Sequence, residues 1–321
     1  MDYAPLRMQP CFKEYLWGGR RIAEQYYTEA PRKTAEAWVL ASHPAGNSPV
    51  LSGSFAGADL EDLARRDKAG FWGSACRAED RFPLMVKIID AQENLSVQVH
   101  PSEENADTTR GEQTKAEVWY VIDAAPGAFI YYGLLPGTGE AAFRALLAEG
   151  RVEELLNRVE VKRGDIFPVY PGTVHAIGAG CLMAEVQQSS DTTFRLYDYN
   201  RVDSKGKHRE LHLERGLQVL DYAGSLPLSG EREPTVQKEG GLFTPLWNGD
   251  AFRSCHIKLS GAAPLPADPQ SFGHVLCIGG GGCLESAFGE ETLYPGSTLF
   301  LPAAVGDVFL RGEGEFIFTR R

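Results

Sequence analysis

Residues 82–101, FPLMVKIIDAQENLSVQVHP, carry two apolar patterns side by side. FPLMVKIID is almost wholly apolar, as expected of a strand covered on both faces, and Lys87 is its one interruption. LSVQVHP alternates: Leu95, Val97 and Val99 fall on one face, Ser96, Gln98 and His100 on the other. A polar strand face ordinarily meets water. Here it adjoins a segment that has to lie deep, so Ser, Gln and His in a row mark a candidate polar site inside a core.

Similar patterns recur along the chain. AEVWYVID and AFIYYGL predict further strands, and SEENADTTRGEQTK at 102–115 predicts a polar surface loop. Earlier, TAEAWVLASHPAGNSPVL reads as strand and turn, with His43 in a surface loop, and DLEDLARRDKAGFWG as a short helix and loop. The period then changes: Phe143, Leu146, Leu147, Val152, Leu155 and Leu156 predict a helical insertion near 139–158, split into two short helices at Gly150. Strands return in VKRGDIFPVYPGTVHAIGAGCLMAEVQ and TTFRLYDYN. RELHLERGLQVL reads as a helix with His208 and His212 on a solvated face.

Residues 224–241 read as a linker. Beyond it CHIKL, HVLCIG, CLESAF, STLFLP, DVFLRG and EFIFT predict an all-β unit over 242–321, following a first unit over 1–223. Many short strands with one helical insertion favour sandwich or jelly-roll modules over a βαβ fold. GGGG at 279–282 invites a phosphate-loop reading, but nothing after it reads as a helix. GDIFPVYPGTVHAI at 164–177 and GSTLFLPAAVGDVF at 296–309 share a Gly turn, an alternating strand and a Pro-bearing turn. Only the first carries a histidine there, the pattern of one working site and one structural copy.

Composition narrows the partners. The 321 residues, 43% hydrophobic and 23% charged, are those of a globular chain, and a net charge of −11 argues against nucleic acid. A small anion needs only one or two placed Arg or Lys residues. No stretch approaches the roughly 20 apolar residues of a membrane span, and MDYAPLRMQPCFKEYLWGGRR lacks the apolar segment of a signal peptide. Six scattered cysteines without a CxxC pair favour reduced thiols. The expected location is the cytoplasm.

Three segments supply metal-binding side chains: LSVQVHP offers Gln98 and His100, KAEVWYV sets Lys115, Glu117 and Trp119 on one face, and YPGTVHAIG brings His175 in after a Pro-Gly turn. Two imidazoles, a carboxylate and an amide oxygen suit a borderline divalent ion, zinc first. Taken singly, each has a blander reading as a hydrogen-bonded core histidine or a solvent-facing strand glutamate.

FPLMVKIIDAQENLSVQVHP, KAEVWYV, YPGTVHAIG and AEVQQSSDTTFRLYDYNR resemble, in that order, the signature segments of the type I mannose-6-phosphate isomerases (phosphomannose isomerases). The resemblance runs from WGG at 17–19 to Arg201, and the length is similar to the short bacterial form. It implies a mainly β fold of cupin-type jelly-roll barrels: a metal-bearing N-terminal and central module with a short helical insertion, and a smaller metal-free C-terminal β module. It implies one zinc ion per chain on Gln98, His100, Glu117 and His175. It also highlights Ser96 and Lys87 as substrate-binding, and Arg195, Glu185, Lys115 and Asp191 as catalytic. The implied reaction interconverts mannose 6-phosphate and fructose 6-phosphate by proton transfer between C1 and C2 through an enediol-like intermediate. In that scheme Glu185 is the candidate base and Arg195 an oxyanion partner. Lys115 is a neutral amine or a charge partner for the phosphate or for Glu117. Asp191 acts directly or aims Arg195. Two other classes fit a cupin pocket: a non-catalytic sugar-phosphate sensor and a metal-dependent oxygenase.

Overall fold

Alternating and continuous apolar segments become the strands of three larger sheets in the computed structural model, which describes residues 1–203, 205–223, 234–266 and 268–321. The first strands are β1 (Leu6–Arg7), β2 (Cys11–Lys13), β3 (Glu36–Leu40), β4 (Ser42–His43), β5 (Gly46–Asn47), β6 (Leu84–Asp90) and β7 (Val97–Val99). They are followed by β8 (Glu117–Ala124), β9 (Phe129–Leu134), β10 (Leu156–Glu160), β11 (Ile166–Val169), β12 (His175–Ile177), β13 (Cys181–Gln188) and β14 (Phe194–Tyr197). The C-terminal strands are β15 (Val236–Lys238), β16 (Gly241–Asn248), β17 (Arg253–Pro264), β18 (Gly273–Ser286), β19 (Gly289–Leu293), β20 (Thr298–Leu301) and β21 (Val308–Arg320). Four α-helices, α1 (Arg21–Gln25), α2 (Leu60–Phe71), α3 (Glu140–Ala148) and α4 (Leu213–Val219), lie among the described residues. The mainly β architecture expected from the sequence is present.

Two antiparallel sheets, β11-β8-β13-β6-β3-β2 and β10-β9-β12-β7-β14, make the first barrel. The outer face of the second sheet is not wet. Val97 and Val99 pack beneath Phe143 of α3 and Leu217 and Val219 of α4. The outer face of the first sheet, through Val86, Ile88, Val118 and Ala184, joins a core shared with Phe272, Leu276, Phe300 and Ile317 of the C-terminal module. With apolar layers on both outer faces, the barrel's polar positions are free to point inward.

Several expectations are corrected. LSVQVHP is a regular strand only over Val97–Val99, and Leu95 leaves the Val97/Val99 face to pack with Trp17, Trp119 and Ile177. Gly150 (φ +71°) does end α3, but a single 3₁₀ turn, Val152–Leu155, and then β10 replace the second helix. Over Asn157–Glu160 burial alternates with the period of two, and the strand pairs with β9, with a register shift after Leu156. Of the expected linker, 224–233 lie outside the described residues, while 236–238 and 241 already belong to the hairpin of β15 and β16. In RELHLERGLQVL only Leu213–Val219 is helical, so His208 and His212 do not share a helix face.

The GGGG run lies inside β18, which together with β21 absorbs four strands read separately. A Cβ at Gly280 (φ +66°) or Gly282 would stand 2.5 Å from the Glu313 carbonyl or 2.2 Å from that of Arg311. The glycines let two long strands cross at close approach, a structural use unrelated to phosphate.

Candidate metal centre and cavity

Strand register builds the site from two rows. In one sheet, Lys87 of β6 pairs with Trp38 of β3 and with Glu185 of β13, which pairs in turn with Trp119 of β8. In the other, Gln98 of β7 pairs with His175 of β12 and Arg195 of β14. All of these except the fully buried His175 line one cavity of about 540 Å³, whose wall also includes Tyr15, Glu36, Ser96, Lys115, Asp191 and Arg209.

At its base His100, Glu117 and His175 are buried with their candidate ligand atoms within 4.8 Å of one another. Each imidazole directs Nδ1 at a carbonyl: His100 to Thr192 and His175 to Thr173, both at 2.9 Å. A carbonyl only accepts, so Nδ1 carries the proton and the Nε2 lone pair faces inward. Burial, and next to it the Lys115 charge, pushes the His100 pKa down to about 3, and burial lowers that of His175. Both rings are therefore neutral.

What they face is another acceptor. His100 Nε2 lies 3.6 Å from Glu117 Oε2, and His175 Nε2 3.5 Å from Oε1. Neither carboxylate oxygen receives a well-directed hydrogen bond, although the Lys115 ammonium stands 2.8 Å from Oε2 as an ion pair. Burial alone would raise the Glu117 pKa, but the Lys115 charge, followed by the histidines, holds it well below the usual carboxylate range. The Gln98 amide completes the ring of donors, its Nε2 3.2 Å from His175 Nε2; a turn of the amide brings Oε1 there instead. Two imidazole nitrogens and an ionised carboxylate that carry no proton of their own on their inward atoms, joined by an amide oxygen once the Gln98 amide is turned, fit a divalent cation, and these four residues would hold it.

Above this centre Glu185 is 4% exposed. Its Oε2 accepts the Trp119 indole N–H at 2.9 Å, and its Oε1 forms an ion pair with the Lys87 ammonium at 2.9 Å. Burial opposes a charged Lys87, yet Glu185 and then Glu36 (3.8 Å) raise its pKa above the ordinary lysine value. Arg195 donates from Nε to Ser96 Oγ (3.3 Å) and from Nη1 to the Glu210 carbonyl (2.7 Å).

Nine of the ten residues read from the sequence sit in one constellation. Asp191 is the partial exception. It reaches the cavity wall, but its exposed carboxylate faces His43 at 3.7 Å, and no Asp191–Arg195 ion pair exists among the described residues. His43, at the end of β4, is half-buried against the Trp38 ring rather than in an exposed loop. Sequence reasoning missed Glu36, Arg209 and His212. His212 Nδ1 accepts the Arg195 backbone N–H at 3.2 Å, and Glu36 accepts from Trp38 Nε1 at 2.6 Å. Glu36 could have been found by its two-residue offset from Trp38 within AEAWVL; Arg209 lies in an irregular segment without a periodic signal.

Comparison with known proteins agrees with this arrangement. Residues 6–127 match the family model of the type I phosphomannose isomerase catalytic domain. The chain is 41% identical to mannose-6-phosphate isomerase ManA of Bacillus subtilis over 99% of both chains. It is 42% identical to the mannose-6-phosphate isomerase of Streptococcus mutans, over 98% of this chain and 97% of that one. A crystal structure of the Bacillus subtilis mannose 6-phosphate isomerase superposes with a TM-score of 0.90 at 32% identity, covering 98% and 99% of the two chains. With barrel, donor set and full-length likeness in agreement, the chain belongs to the type I phosphomannose isomerases.

Proposed function

We propose that this enzyme interconverts mannose 6-phosphate and fructose 6-phosphate, using a zinc ion held by Gln98, His100, Glu117 and His175. The observation that carries the reading is the convergence of proton-free donors at the base of a cavity lined with Lys, Arg and Glu side chains. A zinc ion there would supply a Lewis acid for the sugar oxygens without redox change.

The chain's own groups account for the proton movements. Glu185, held by Lys87 and Trp119, takes the C2 proton of the open-chain aldose. Lys115, at 2.8 Å from Glu117, places an ammonium proton beside the donor set for O1. Transfer of that proton to O1 leaves an enediol, to which Glu185 returns the first proton at C1 while the O2 hydroxyl gives its proton back to the Lys115 amine, so the atoms balance. Arg195, held by Ser96, faces the negative charge that develops on oxygen. Asp191 has a place on the wall and no assigned proton. The free state of all six cysteines accords with a reducing compartment such as the cytoplasm.

The test is a coupled assay of mannose 6-phosphate conversion on protein stripped by chelator and reloaded with zinc, with His100→Ala in parallel. Activity that needs the ion and disappears in the variant is expected. Stoichiometric zinc without turnover would overturn the substrate assignment.

A further inference from the structure

Asp198 is a buried carboxylate that the metal centre does not use. It is 5% exposed, follows β14 three residues after Arg195, and holds two guanidinium groups. Arg209 donates from Nε to Oδ2 at 2.7 Å and from Nη2 to Oδ1, and Arg201 donates from Nη2 to Oδ1 at 2.5 Å. Burial alone would raise the Asp198 pKa, but these arginine bonds lower it, so it stays ionised.

The two arginines differ in what else they do. Arg201 is anchored a second time, its Nη1 on the Asn94 carbonyl at 2.6 Å and its backbone N–H on that of Asp198 at 3.0 Å. The intervening Tyr199 and Asn200 both have φ of +54°, the mark of a type I′ turn that folds Arg201 back onto the carboxylate. Arg209 has no second anchor. Its Nη1 donates to no group among the described residues, and its side chain lines both the main cavity and an adjoining recess. Beside it Arg195 has no carboxylate partner among the described residues. Burial, and after it the Arg209 charge, lowers the Arg195 pKa.

Two guanidinium groups thus share one buried carboxylate while a third, Arg195, has none, and Arg195 and Arg209 line the same cavity with their like charges opposed. The outer recess also holds Lys207, Asp203 and Glu210; Asp203 is committed to the backbone N–H groups of Lys205 and Lys207. Two like charges held at a cavity wall store a repulsion that a dianion relieves. We infer that Arg209, aimed by Asp198, seats the phosphate dianion of the substrate where cavity and recess adjoin and leaves Arg195 to the reacting oxygen, Asp198 being the positioning residue that sets preference for a phosphorylated sugar. This rests on the sugar-phosphate reading above.

Arg209→Met and Asp198→Asn are measured for kcat and KM with mannose 6-phosphate and for the inhibition constant of inorganic phosphate. For Arg209→Met, KM and the phosphate constant should both rise about tenfold or more, by a larger factor than kcat falls. Asp198→Asn should move both the same way by a smaller factor. A merely structural Asp198 would lower kcat through loss of active protein while KM and the phosphate constant stayed within twofold of wild type, and that result overturns its positioning role. If Asp198→Asn does not fold, Asp198→Glu replaces it, because it keeps the charge and displaces it by one methylene. Unchanged KM and phosphate constant in Arg209→Met overturn the whole inference. Calorimetric titration with inorganic phosphate separates the two readings. Phosphate binding lost in Arg209→Met, with no turnover of mannose 6-phosphate by wild type, removes the substrate assignment and keeps the anion seat. No binding to wild type at millimolar phosphate overturns the seat.

Discussion

The two β modules share a strand-and-turn pattern, and only the first keeps a polar donor set in its interior beside an apolar cluster. After Pro171-Gly172 the first module delivers His175 into a ring of nitrogen and oxygen donors. In the matching turn of the second, Pro302 leads into the 3₁₀ turn Ala303–Val305, and Val305 packs with Leu301, Val308 and Phe316. Ile257, Leu259, Val275, Leu284, Leu299 and Phe318 complete an interior of carbon. The difference shows where a barrel of this size can carry chemistry. The first module gives part of its interior to polar groups, with Trp17, Ile89, Val121, Ile130 and Met183 packing the rest, and gains further apolar contacts outside, against α3 and α4 on one sheet and against Phe272, Phe300 and Ile317 on the other. The second module supplies part of that outer layer, so its dry interior supports the wet one beside it.

The comparison can be broken at several points. The largest effect belongs to the donor ring: Glu117→Gln should lower kcat/KM by on the order of 1,000-fold or more and reduce bound metal, read by elemental analysis. Full activity with full metal loading in that variant would detach the chemistry from the first barrel. Glu185→Gln should cost about 100- to 10,000-fold in kcat with metal content unchanged; a parallel loss of metal would assign it to the centre rather than to the proton. In the second module Phe316→Ala, at a fully buried position, should destabilise the chain by about 3–5 kcal/mol in denaturant unfolding. The kcat of the remaining folded enzyme should be that of wild type, and a large fall in kcat would erase the division of labour.

The smallest effect lies at the seam. Glu315 of β21 holds His256 (3.1 Å) and Arg163 (2.8 Å), while the His256 ring stacks on Tyr120 of β8 with centroids 4.5 Å apart. The hydrogen bond from His256, and next that from Arg163, takes the Glu315 pKa down to about 2. A depressed carboxylate pKa gives stability that is present above the unfolded value near 4.5 and is lost as pH falls toward the folded one. The carboxylate is partly exposed, so screening limits the effect to about 1 kcal/mol. Glu315→Gln should therefore lower Tm slightly at pH 7, and the gap to wild type should narrow from pH 5 to pH 3. A gap constant across that range would remove Glu315 from the seam.

Much of the site was legible because strands write their faces with a period of two. Gln98 and His100 on one short segment, and Lys115 with Glu117, needed only alternation, and His175 needed only its Pro-Gly turn. The second helix of the insertion was misread because Leu155 and Leu156 satisfy both periods, and only pairing with β9 decides between them. Arg209 and the outward turn of Asp191 were hidden for another reason. Both lie in irregular segments, where direction is set by a partner far along the chain or by a turn such as Tyr199-Asn200.

The donors come from β7 and the residue following it, from β8 and from β12, so Gln98 and His175 meet only when β12 docks between β7 and β9. That closure joins positions far apart in the chain and belongs late in the order of folding. An ion therefore finds no complete nest in the unfolded polypeptide and cannot act as its seed. Added metal should leave the refolding rate as it is and slow the unfolding rate, a clasp fastened after the garment is on; stopped-flow fluorescence with and without the ion reads both.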